Sequence, residues 1–182
     1  MSIDPAERPG PDPAPGPGPA PGPGPAPELT HVRPDGSANM VDVSAKSVTA
    51  RQATAAGRIL LSAAAVAALR EGNVPKGDAL AVARIAAIQA VKRTPELIPL
   101  AHPIAVHGVQ VDLAVADDGV DIEATVRTAD RAGIEMEALT AVAVGALALV
   151  DMVKAVDKHA RITDVRVTAK SGGRSGDWVE ES

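Results

Sequence analysis

IAVHGVQVDLAVADDGVDIEATVRT, residues Ile104–Thr128, consists of two alternating runs, Ile104–Val115 and Val120–Thr128, around Ala116-Asp117-Asp118-Gly119. Alternation with period two places one set of side chains on each face of a strand, and Asp-Gly supplies turn chemistry, so this stretch predicts an antiparallel hairpin. Downstream, Glu135–Lys158 reads as a long helix whose middle, Ala138–Val150, is apolar for 13 residues. That run is too short to span a bilayer, so the pattern predicts a core helix and no membrane partner. Ile162–Lys170 returns to strand alternation. Upstream, Asp78 caps a predicted helix Ala79–Lys92, and Ser62 and Gly72 bracket a shorter one, Ala63–Arg70. Thr94–Pro103 carries three prolines and cannot be helical throughout. Asn39–Ser44 and Val48–Leu61 read as strands. Without the N-terminal additions the order is strand, helix, strand, strand, helix, strand. This order predicts an α+β, ferredoxin-like sandwich with helices on one face of an antiparallel sheet.

The chain has 182 residues, and 11 of its 16 prolines fall within Met1–Pro27. Repeated PAPGPG there buries nothing, so residues 1–27 are expected to be a disordered spacer and residues 28–182 the folded domain. Zero cysteines exclude a disulfide framework, a thiolate nucleophile and Cys-ligated metal. A formal charge of −5 and a single aromatic residue, Trp178, argue against nucleic acid as a partner. With no basic segment leading into an apolar stretch at the N-terminus, a cytoplasmic location is expected. Many alanines and few large side chains limit the apolar area one subunit can bury, which favours a homo-oligomer.

Four groups of residues are candidates for chemistry. Asp151, Lys154 and Lys158 stand at i, i+3 and i+7, on one helical face, where a carboxylate and an amine can divide proton transfers; taken alone, a solvated salt-bridging helix end is the more ordinary reading. Lys170–Gly176, KSGGRSG, combines two cations with glycines that let backbone approach an anion, or is simply a flexible basic loop. It lacks the spacing of a nucleotide P-loop. Thr94–Pro103 presents His102 on a stiff loop. His102 and His107 do not have the spacing of a helical zinc pair, and no metal site is expected. Glu135 and Glu137 flank Met136 at the start of the long helix, where acids complement the dipole. Glu137 and Asp151 are 14 residues apart, about 21 Å along a helix, so binding one ligand at both requires a long ligand or a site shared between subunits.

THVRPDGSANMVDVSAKSVTAR, KGDALAVARIAAIQAVKRTPELIPLAHP, ATVRTADRAGIEMEALTAVAV, DMVKAVDK and KSGGRSGDW, in that order, resemble the cyclic pyranopterin monophosphate synthase family of molybdenum-cofactor biosynthesis. The resemblance spans Leu29–Trp178. It implies a lyase that converts 3′,8-cyclo-7,8-dihydro-GTP into cyclic pyranopterin monophosphate with release of pyrophosphate. It also implies a ferredoxin-like fold and a hexamer built as a trimer of dimers, with the active site at a subunit interface. The resemblance places the catalytic aspartate at Asp151 and catalytic lysines at Lys154 and Lys76. It places substrate contacts at Leu100, Ala101, His102, Met136 and Glu137, and phosphate-facing cations at Arg51 and Lys170. No cofactor is implied, although a divalent cation accompanying the triphosphate is left open. Two departures stand out: Ala101 where the family usually has Cys, and Arg174 where it usually has Lys. The alternative reading is a non-catalytic oligomeric module that binds phosphate or nucleotide through the same lysines.

Overall fold

A computed structural model describes residues 32–33 and 35–181; the Pro/Gly segment 1–27 lies outside the described residues. Five strands form one sheet: β1 (Thr49–Leu60), β2 (Val106–Ala116), β3 (Gly119–Asp130), β4 (Arg161–Ser171) and β5 (Trp178–Val179). Their spatial order is β2-β3-β1-β4-β5, antiparallel throughout. The helices are α1 (Ala63–Glu71), α2 (Ala79–Val91), α3 (Thr94–Leu97) and α4 (Glu135–Val153). Alternation along β1 explains the layering: Ala53, Ala55 and Ile59 are fully buried, whereas Gln52, Thr54, Ala56 and Arg58 on the other face are only half-buried. Helices α2 and α4 cover the first face and pack on each other. This is the expected ferredoxin-like α+β sandwich.

The predicted hairpin forms, but its glycine serves a different purpose. The loop is Asp117–Asp118, and Gly119 already pairs with Ala116 as the first residue of β3. Its φ is not left-handed. A Cβ at Gly119 would collide with the Ile59 carbonyl, so the glycine permits β1 to approach closely. Arg58 and Arg70 then hold Asp118 and Asp117 at 2.6 and 2.9 Å. Both predicted caps form: Ala65 N donates to Ser62 Oγ at 3.3 Å, and Ala81 N to Asp78 Oδ1 at 2.9 Å.

Three boundaries differ from expectation. Asn39–Ser44 is not a strand, because among the described residues no strand lies beside it; instead Asp42 accepts from Ser44 N at 2.8 Å and closes a local turn. The long helix stops at Val153, five residues before Lys158. There Val156 N and Asp157 N both turn back to the Val153 carbonyl, at 2.8 and 2.9 Å. The Asp157 carboxylate, only 6% exposed, accepts from Ser62 N at 2.6 Å and His159 N at 2.8 Å, which pulls the chain away from the helix axis. Strand β5 was not anticipated, since two residues give no periodicity to read. By length and composition alone α4 is long and apolar enough to cross a membrane, contrary to the shorter apolar run read from the sequence. Its Ala138, Ala141, Val142, Ala146 and Leu149 are fully buried against the sheet and α2, so it is a core helix.

Candidate active site

The turn between α1 and α2 carries Lys76 back towards the C-terminal end of α4. Gly77, at φ 101°, makes that turn possible, and its N–H donates to the Val74 carbonyl at 3.0 Å. Lys76 Nζ meets Asp151 Oδ2 at 2.7 Å, while Lys154 Nζ, from the helix cap, meets Asp151 Oδ1 at 2.6 Å. Each carboxylate oxygen therefore carries one ammonium. Hydrogen bonds from Lys154 first, and Lys76 second, lower the Asp151 carboxyl to about 2. The cluster is half-exposed and holds two positive charges against one negative, which suits it to meet an anion. Lys158 lies beyond the helix end and does not share the helical face read from its spacing.

A second cluster lies at the other end of α4. Arg51 from β1 and Lys170 from β4 line a cavity of 160 Å³ with Gly133, Glu135, Gly172 and Ser175. Arg51 Nε donates to the Asp130 carbonyl at 2.9 Å. Gly173, at φ 82°, leaves room for the Arg51 guanidinium where a Cβ would strike it. Lys170 Nζ is held by Glu135 at 3.2 Å and by Ser175 Oγ at 2.9 Å. Within the glycine loop Gly172 N donates to Asp177 Oδ1 at 2.9 Å and Gly176 N to the Gly173 carbonyl at 3.3 Å, while Arg51 and Lys170 bring positive charge to its edge.

Glu137, next to this cluster, is 2% exposed, and burial pushes its carboxyl up to about 7, aided by the Glu135 charge and opposed by its own backbone N–H. Its neighbour Met136 is 40% exposed. Leu100, Ala101 and His102 follow α3 in a half-buried loop. His102 Nε2 lies 2.7 Å from the Val41 carbonyl.

The structure thus assembles Lys76, Asp151 and Lys154 in one place and Arg51 and Lys170 in another. Because α4 is one continuous helix from Glu135 to Val153, Glu137 and Asp151 stay about 21 Å apart within one subunit. Glu135 and Ser175, which hold Lys170, were not assigned as substrate contacts, although both lie in stretches the sequence singled out, Glu135 as a helix-start acid and Ser175 inside the KSGGRSG loop. A larger cavity, 660 Å³, lies on the helix-free face of the sheet. Its Asp112, Asp121, Glu123 and Asp164 outnumber Arg58 and Arg166, so it repels a polyphosphate. Among the described residues, no three His, Asp or Glu side chains come together as metal ligands.

Known proteins extend the comparison to nearly the whole folded part. The chain is 66% identical over 151 residues to the cyclic pyranopterin monophosphate synthase of Streptomyces coelicolor, covering 83% of this chain and 89% of that protein. It is 63% identical over 153 residues to the enzyme of the same name from a Nocardioides species, covering 82% and 94%. Against cyclic pyranopterin monophosphate synthase 2 of Mycobacterium tuberculosis H37Rv it is 55% identical over 152 residues, covering 84% and 91%. Residues 40–173, which include Lys76, Asp151, Lys154, Arg51 and Lys170, match the MoaC family, and the chain belongs to that family.

Proposed function

We propose that the protein is a cyclic pyranopterin monophosphate synthase, a lyase that converts 3′,8-cyclo-7,8-dihydro-GTP into cyclic pyranopterin monophosphate and pyrophosphate, an early step of molybdenum-cofactor biosynthesis. The observation that carries the reading is the pairing of both Asp151 oxygens with Lys76 and Lys154, at 2.7 and 2.6 Å. In closing a cyclic phosphate, a substrate hydroxyl attacks the α-phosphorus, the hydroxyl proton leaves, and the bond to the β-phosphate breaks. Held at about 2, Asp151 is a poor base while both lysines grip it. When a triphosphate draws the ammonium groups away, the carboxylate loses the interactions that lower it and gains basicity beside the reacting oxygen. The lysines then neutralise the charge that grows on departing pyrophosphate. Arg51 and Lys170 bind phosphate oxygens, and Met136, Glu137, Leu100, Ala101 and His102 complete the substrate contacts. Ala101, with only a methyl group, contributes packing and backbone.

The two ends of α4 serve one substrate if the site is shared between subunits, and we read the assembly as a homohexamer, a trimer of dimers. Helix α4 leaves Leu147 59% and Met136 40% exposed on the side that carries Asp151, and α2 adds Ile85 at 58%, an apolar surface suited to a second copy. We assign no resident cofactor; a divalent cation would enter with the triphosphate. The reaction belongs in the cytoplasm, where GTP derivatives are made.

The test is pyrophosphate release from enzymatically generated cyclised dihydro-GTP, with the pterin followed by its oxidised fluorescence. Wild-type protein is expected to release pyrophosphate and Asp151→Asn to release none while remaining folded. Equal release by both would remove Asp151 from the chemistry. Binding without release by either would favour a non-catalytic phosphate-binding module.

A further inference from the structure

We propose that Val41–Lys46 is a strap that positions His102, fixing which imidazole nitrogen is left for the substrate. The inference rests on the reading of His102 as a substrate contact. A carbonyl oxygen only accepts, so at 2.7 Å from the Val41 carbonyl the Nε2 of His102 is the nitrogen that bears hydrogen. In the neutral ring Nδ1 then holds the lone pair and is the acceptor available to a substrate N–H or O–H. The residues in contact are 61 positions apart, and nothing in their spacing announces the bond.

The strap is held at both ends and stiffened between them. At its far end Arg131 Nε donates to the Lys46 carbonyl at 2.9 Å. Between the ends, Ser44 N donates to Asp42 at 2.8 Å and Lys46 N to the Val43 carbonyl at 3.0 Å. These turns take the place of a sheet neighbour. Val41 and Val43 are half-buried while Asp42 and Ser44 are exposed, so the alternation that suggests a strand instead marks the side on which the strap lies. Arg131 is itself steadied, its N–H donating to Asp130 Oδ1 at 2.6 Å, and the Asp130 carbonyl is the one that accepts from Arg51. One turn therefore anchors both the strap and a phosphate-facing arginine.

The experiment uses full-length protein labelled with ¹⁵N-histidine, the His102 signals being those lost in His102→Gln. The free protein is expected to show His102 protonated at Nε2, and an Nδ1-protonated or evenly mixed ring would overturn the proposal. Arg131→Gln then releases the far end. We expect a mixed His102 tautomer, backbone amides of residues 43–46 exchanging about tenfold faster, and a KM raised about tenfold with kcat within about twofold, the ratio one hydrogen bond supports. A raised KM with an unmoved tautomer would mean that Arg131 acts only through its charge, and would overturn the strap. Unchanged exchange, or faster exchange with an unmoved KM, would overturn it equally. Tautomer and exchange need no turnover, so failure of the strap is distinguishable from failure of the synthase reading.

Discussion

Glu137→Gln tests whether the buried end of α4 carries the electrostatic burden its surroundings imply. The side chain is 2% exposed, and its carboxyl is pushed from 4.5 to about 7, chiefly by burial. The folded protein therefore holds this proton more tightly than the unfolded chain. Its contribution to stability is complete below pH 4.5 and is lost as pH rises through about 7. A difference of roughly 2.5 pH units corresponds to about 3 kcal/mol. Glutamine keeps the shape and the polarity and removes the ionisation. At pH 8.5 the variant is expected to be more stable than wild type by up to about 3 kcal/mol, and at pH 4.5 the two should agree within about 1 kcal/mol. Urea unfolding at several pH values and one fixed protein concentration reads this difference directly. A stability difference that stays constant from pH 4.5 to 8.5 would refute the reasoning, because it would show that Glu137 titrates alike in folded and unfolded chains.

Lys76→Ala and Lys154→Ala should each lower pyrophosphate release by orders of magnitude with little change in thermal midpoint, neither side chain being buried; wild-type turnover in either would remove that lysine from the chemistry. Asp157→Ala leaves Ser62 N and His159 N without their acceptor, and a loss of about 1–3 kcal/mol is expected in chemical unfolding. The Asp157 carboxyl lies below its usual range because those two N–H groups favour the charged form. Its contribution is thus present above the ordinary carboxylate pKa and lost as pH falls, so the penalty of Asp157→Ala should shrink in acid. Gly119→Ala drives a methyl group into the Ile59 carbonyl and should destabilise by about 1–3 kcal/mol or more, visible as a lowered urea midpoint; an unchanged midpoint would show that β1 and β3 separate freely at that point.

Local patterns settled most of the fold. Alternation in Ile104–Val115 and Val120–Thr128 produced β2 and β3 because each strand has one face on the helices and one in solvent. Ser62 and Asp78 marked helix starts because each side-chain oxygen reaches an N–H three residues on. The resemblance singled out Lys76, Asp151 and Lys154 as candidates, and i, i+3 spacing already placed Asp151 beside Lys154. Tertiary structure decided what spacing cannot encode. Lys76 reaches Asp151 across 75 positions only because α1, its turn and α2 fold back on α4. Helix α4 ends at Val153 because a distant N–H, that of Ser62, captures Asp157, whereas the apolar pattern alone runs on without a stop. Alternation in Asn39–Ser44 suggested a strand, yet a strand needs a neighbour, and the fold provides His102 and Arg131 in its place. Periodicity and capping are short-range and survive in the unfolded chain's sequence; contacts between segments 60 to 90 residues apart exist only once the sheet has brought them together.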